Sequence, residues 1–145
     1  VLDRNLELNR ALNIFKKAER KNIIAASENM ISNEKKMNNT RLNNYNFLFV
    51  EEDESGNLDI LDLLKKIHNL GITSILVEGG GKVFSSFIRK KLFDEIYLFT
   101  GPKILGSGIS SVQNIGIEKI EDATNLKLKN VRQINGDALL IYGRI

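Results

Sequence analysis

Apolar residues along the chain fall into short runs whose spacing sets the elements they can form. Ile60, Leu63, Leu64 and Ile67 recur at i, i+3, i+4 and i+7. That spacing predicts a helix from Asp59 to Leu70, with Gly71 to stop it. Phe84, Phe87 and Ile88 share one side of a second amphipathic helix, expected over Ser85 to Lys91. Other runs are short and rich in β-branched or aromatic residues, and predict strands. They are the strand end at Val1 to Asp3, "NIIAAS" at 22–27, "NFLFVEE" at 46–52, Thr73 to Val77, and "FDEIYLF" at 93–99. Thr73 to Val77 has the pattern of a strand covered on both faces.

Between these runs lie turn signals. "DESGN" at 53–57 is a turn, and "GPKILG" at 101–106 is a loop holding the only proline, Pro102. Arg10 to Lys17 is a short helix candidate, and the Asn-rich 28–44 predicts a short helix with loops. Near the end, alternating patterns flank Asn135-Gly136, a strong hairpin signal. The order is β-α-β repeated and then an antiparallel hairpin. It predicts one α/β domain over residues 1–145 with a mixed, mostly parallel sheet.

Composition narrows the chemistry. The chain has 145 residues, enough for one domain with a real core, and 42% hydrophobic and 27% charged residues, as in soluble globular proteins. Its net charge of +3 is spread among Asn and Glu without a basic, aromatic-studded stripe, so nucleic acid is not an expected partner. No apolar run is long enough to span a bilayer, so neither is a membrane. Cysteine is absent and His68 is the single histidine. Disulfide scaffolds, cysteine nucleophiles and Cys/His zinc clusters are thereby excluded, and no metal is expected. A cytoplasmic setting fits. The chain opens on "VLDR" without an initiator Met, as a piece of a longer protein would.

The sharpest feature is "VEGGGK" at 77–82, between a predicted strand and a predicted helix. A helix N-terminus presents unpaired N–H groups and about half a positive charge, and glycines there let an anion approach the backbone. Ser85 and Ser86 would add hydroxyls, and Lys82 a charge. The stretch matches neither the G-x-x-x-x-G-K-[ST] loop nor G-x-G-x-x-G. Glycines that only allow tight strand–helix packing are the plainer alternative. Glu78 sits at the carboxyl end of the predicted strand, where open α/β sheets place ligands. As an ionised acceptor it suits hydroxyl or amine hydrogens; the plain alternative is a carboxylate favoured by the helix dipole.

The stretch "GITSILVEGGGKVFSSFIRKKLFDEIYLFTGPKILG", with the opening "VLDRNLELN" and the closing hairpin, resembles the reductase domain of bifunctional riboflavin-biosynthesis proteins. Those proteins pair a pyrimidine deaminase with a 5-amino-6-(5-phosphoribosylamino)uracil reductase. The resemblance implies a dihydrofolate-reductase-like, three-layer α/β fold. It also implies NADPH-dependent reduction of the substrate's ribosyl group to the ribityl form. The family's acidic substrate-binding residue falls on Glu78, and its NADP-binding loop and helix start on Gly80, Gly81, Lys82, Val83, Phe84, Ser85 and Ser86. A further cofactor contact falls on Arg4, where some members carry serine; an arginine there suits a 2′-phosphate.

The resemblance further implies a phosphorylated pyrimidine as substrate, a homodimer, and fusion to a zinc deaminase in the full-length protein. Family reductase domains begin with a further strand, a glycine-containing loop and another βα unit, which this sequence lacks. No residue identifies itself as the proton donor, so the catalytic residue is unknown. Two alternatives stay open: a reductase of the diaminopyrimidine form of the substrate, and a non-catalytic nucleotide-binding module. His68 reads as solvent-facing, Lys103 as a turn lysine, Asp94 and Glu95 as residues of the turn before a strand, and Tyr45, Tyr97 and Tyr142, at strand positions, as core or edge packing.

Overall fold

The computed structural model describes residues 1–9, 11–13, 22–32 and 46–145. Most of the helix expected at 10–17, much of 28–44, and Tyr45 lie outside the described residues. The chain divides into two compact units, Val1–Ile75 and Leu76–Ile145.

In the first unit β1 (Ile23–Ser27) and β2 (Asn46–Val50) pair in parallel, from Ile23 opposite Asn46 to Ser27 opposite Val50. Val1 to Arg4 runs along the other edge of β1. Asp3 N–H donates to Ala25 O at 2.9 Å, Ala25 N–H to Val1 O at 2.8 Å, and Ser27 N–H to Arg4 O at 3.0 Å. Ile24, Ala26 and Leu6 form a core against which Leu8, Met30, Phe47 and Phe49 pack. Phe47 and Phe49, two apart on one strand face, stack with centroids 6.1 Å apart. Fully burying an Ile or Leu side chain is worth roughly 1.5–3 kcal/mol, so Ile24 and Leu6 are substantial contributors to the unit's stability.

α1 (Ile60–Asn69) follows the predicted stripe, with Ile60 and Leu63 buried. Its start is closed by its own side chains, since Asp59 accepts the Asp62 N–H at 2.9 Å. Asp62 in turn accepts Glu51 N–H at 2.9 Å, which ties the helix to the end of β2. Gly71, at φ +81°, ends the helix as expected, its N–H donating to His68 O at 2.8 Å.

Thr73 to Val77 departs from expectation. The segment has no strand assignment and lies in neither ladder. Thr73 to Leu76 are exposed, Leu76 at 78%. A β-branched run makes a strand only when a neighbour takes its N–H and C=O groups, and among the described residues no strand pairs with this one.

In the second unit α2 (Gly81–Arg89) begins four residues earlier than its apolar stripe implied. Then β3 (Glu95–Thr100), β4 (Leu126–Ile134) and β5 (Asp137–Arg144) form an antiparallel sheet in the order β3-β5-β4. The hairpin turns where predicted, at Asn135 and Gly136, with φ of 49° and 93°. Parallel and antiparallel pairing are thus both present, in separate ladders. On β5, Leu139 and Ile141 are buried, whereas Tyr97, Leu98 and Phe99 on the edge strand β3 are exposed, so Tyr97 takes the edge position and not the core one of the two expected for it. Glu95 begins β3 rather than lying in the turn before it. It holds Lys129 at 2.8 Å across Gly143, whose missing Cβ leaves room for the lysine stem.

Candidate functional site

The start of α2 is built by three glycines with three different reasons for being there. A Cβ on Gly79 would stand 3.2 Å from Val83 Cβ, a tight contact with the helix it precedes. Gly80 is the N-cap, extended at φ −87° and ψ 174°, and a Cβ there would meet nothing within 4 Å. At Gly81 a Cβ would come within 2.7 Å of the Ser110 carbonyl oxygen. So Gly81 is required by close packing, and Gly80 leaves open space above the helix end.

That end is uncapped. Among the described residues no side chain hydrogen-bonds into it, and the first turn carries no acid. Only Val83 and Phe84 N–H groups turn inward, donating to Gly80 O at 3.0 and 3.3 Å. The positive end of the dipole is thus unanswered by a side chain; Gly80 and Lys82 there are exposed, whereas Gly81 between them is buried. Chemically such an end can accept an anion, since it combines backbone N–H donors, a cation and no carboxylate in its first turn. The residues present fit a phosphate-bearing cofactor.

The two serines behave differently from the sequence expectation that both offer hydroxyls. Ser85 is buried; it donates to Gly81 O at 2.6 Å and accepts Gln113 N–H at 2.7 Å. Its single hydroxyl hydrogen is spent within the helix. Ser86 donates to Lys82 O at 3.0 Å, one helical turn back. Val83 and Phe84 are half-buried on the helix flank. Glu78 is exposed, two residues before the N-cap.

Arg4 belongs to the other unit. Its Nη1 donates to the Gly56 carbonyl and its Nε to Asn5 Oδ1 at 3.2 Å, which places it over the 53–57 turn. Asp53 organises that turn by accepting the Ser55 and Asn57 N–H groups, each at 3.0 Å. His68 is exposed in the last turn of α1, and Lys103 is exposed in its loop, as read from sequence. Among the described residues no group of His, Cys, Asp and Glu could hold a metal, and no helix is long and apolar enough to cross a membrane. A cleft of about 460 Å³ lined by Lys91, Asn125 and Arg144 holds none of the expected site residues. Seats made from a helix end need no enclosed cavity, so the chemistry is better located by donors than by volume.

Sequence reasoning missed the segment 110–114, which packs on α2 at Gly81, Ser85 and Arg89. Its residues, "SSVQN", carry no periodicity and no motif, so nothing in the sequence pointed to it.

Known proteins bear on this arrangement. The family model described as the RibD C-terminal domain matches residues 1–140. The riboflavin biosynthesis protein RibD of Aquifex aeolicus is 34% identical over 86 residues, covering 59% of this chain and 24% of that protein. A 5-amino-6-(5-phosphoribosylamino)uracil reductase of Buchnera aphidicola is 30% identical over 93 residues, 63% of this chain and 45% of the relative. The chain thus spans about a quarter of the RibD protein and under half of the reductase. Among solved structures, Acinetobacter baumannii RibD superposes with a TM-score of 0.75 at 20% identity, covering 99% of this chain and 36% of that one. That likeness shows a shared fold, the dihydrofolate-reductase-like α/β class expected from sequence.

Proposed function

This chain belongs to the RibD C-terminal domain family, and from that membership we propose an NADPH-dependent reductase of riboflavin biosynthesis. Its substrate is 5-amino-6-(5-phosphoribosylamino)uracil, whose ribosyl group becomes ribityl. The observation that carries the reading is the uncapped start of α2, where exposed Gly80 and Lys82 border open space.

NADPH, when bound, supplies the hydride. The chain's own residues bind and orient. Backbone N–H groups of Gly80, Gly81 and Lys82 would hold the cofactor phosphates, with Val83 and Phe84 flanking them. Charge-assisted bonds of this kind are roughly twice as strong as neutral ones. Glu78 would accept hydrogen bonds from the substrate's sugar or amine groups, kept off the phosphates because like charges repel. Arg4, in the first unit, is proposed as a further cofactor contact; two of its nitrogens are engaged by Gly56 and Asn5, and a guanidinium suits a 2′-phosphate. No described side chain is assigned as proton donor.

Residues 1–145 would form part of one reductase domain, in a cytoplasmic homodimer whose full-length chain also carries a zinc deaminase. The small share of RibD that the chain spans supports the fusion. The test is NADPH oxidation by the full-length protein, with and without the phosphoribosylaminouracil. Substrate-dependent oxidation is the expected result. Cofactor binding without turnover would replace the reductase with a binding module, and turnover only of the diaminopyrimidine would shift the step to before deamination.

A further inference from the structure

We propose that Ser85 is a positioning residue for the cofactor seat, a pin that fixes the 110–114 segment against α2 and so holds the helix start in place. The inference rests on the cofactor reading above and deepens it, because it removes Ser85 from the phosphate ligands and gives it a different task.

Gly81, Ser85 and Arg89 are spaced i, i+4, i+8 and form one stripe along α2. Each meets the same short segment. At Gly81 the absent side chain lets the Ser110 and Ser111 carbonyls and the Gln113 side chain approach; a Cβ would stand 2.7, 3.4 and 3.2 Å from them. Ser85, only 3% exposed, joins the Gly81 carbonyl at 2.6 Å to the Gln113 N–H at 2.7 Å. Arg89 closes the stripe, with Nη2 donating to Asn114 O at 3.2 Å. The middle contact differs from the others because one hydroxyl serves both partners. Its hydrogen goes into the helix and its lone pair takes the segment's amide, so neither bond can be kept without it.

The seat consists of backbone amides, which cannot be placed by their own side chains. Their position follows the helix axis, and the axis is held on this face by the 110–114 segment. Loosening the pin should therefore weaken an anion at the helix start although Ser85 never touches it.

The test uses NADPH binding to the full-length protein. Ser85→Ala removes the hydroxyl. Gln113→Pro keeps the hydroxyl and removes the N–H it accepts, while Gln113→Ala keeps that N–H. Each of the first two variants should weaken NADPH by about tenfold, as expected for leaving a buried polar group unpaired. Gln113→Ala should bind like the wild type, and the double variant Ser85→Ala/Gln113→Pro should be no weaker than the weaker single. Unchanged binding in Ser85→Ala overturns the proposal. So does a loss confined to Ser85→Ala, or losses that add in the double variant, since a direct ligand would behave that way. A wild type that fails to bind NADPH instead fells the cofactor reading, and this inference with it. Hydrogen exchange in the wild type provides a readout that needs no folded variant. The Gln113 amide should be protected, and more so with NADPH; exchange at the unprotected rate contradicts the pin.

Discussion

Asp59 reaches back into α1 and takes the Asp62 N–H at 2.9 Å, whereas among the described residues no side chain caps the start of α2. The two helices are otherwise alike: ten and nine residues long, each with one apolar stripe. α1 carries Asp59 at its cap and Asp62 in its first turn, so its positive end is answered from within. α2 has glycine at the cap and no acid in its first turn, so the same partial charge is left for something else. Helix propensity alone would favour closing both, because a capping side chain stabilises and a bare end does not. An end left bare, beside a glycine with open space over it, is what the proposed cofactor seat requires.

The comparison breaks most severely at Gly81. Gly81→Val would put a methyl-bearing Cβ where 2.7 Å separates it from the Ser110 carbonyl. Overpacking of this kind costs roughly 1–3 kcal/mol, and denaturant unfolding should show that loss together with collapse of NADPH affinity. Next in size is Gly80→Asp, which would give α2 the cap that α1 has. The backbone there is extended and the space is clear, so folding should gain a few tenths of a kcal/mol while NADPH binding falls by about tenfold or more. Calorimetry and a thermal melt on one sample would read the two opposite signs.

The reciprocal change, Asp59→Ala, should cost about 1 kcal/mol of stability with cofactor affinity intact. Smallest is the pH dependence of the closed helix start. Burial works to raise the Asp62 carboxyl, but the Lys66 ammonium at 2.7 Å and the Glu51 N–H outweigh it, and the group lies below its ordinary value of 3.8. A carboxyl lowered by folding contributes stability that is present above its unfolded value and lost as pH falls through its folded one. Lys66 is raised above 10.5, chiefly by its bonds to Asp62 and Glu28, and its contribution disappears as pH rises through that raised value. Asp62→Asn should therefore cost less than about 1 kcal/mol at neutral pH, and the difference from wild type should vanish in acid.

Much of this frame is legible in the residues alone. The spacing of Ile60, Leu63, Leu64 and Ile67 marks α1, Gly71 its stop, and Asn135-Gly136 the hairpin turn. All three are local signals, and local physics decides them. Thr73 to Val77 shows the other case. Its composition says that it can be a strand, but pairing is a non-local event, and composition does not name a partner. The anion seat proposed at the glycine junction rests on the same local grounds. What Ser85 does was not legible, since a serine in an early helical turn looks alike whether it faces a ligand or pins a distant loop. Only the position of Gln113, reached through an aperiodic polar segment, separates the two.

A crystal structure of the full-length protein with NADPH tests the central claim most directly. The account predicts cofactor phosphate oxygens within hydrogen-bonding distance of the Gly80, Gly81 and Lys82 amides, with the Ser85 hydroxyl still on Gln113. NADPH bound elsewhere, with that helix end empty or closed by the protein's own side chains, would contradict it.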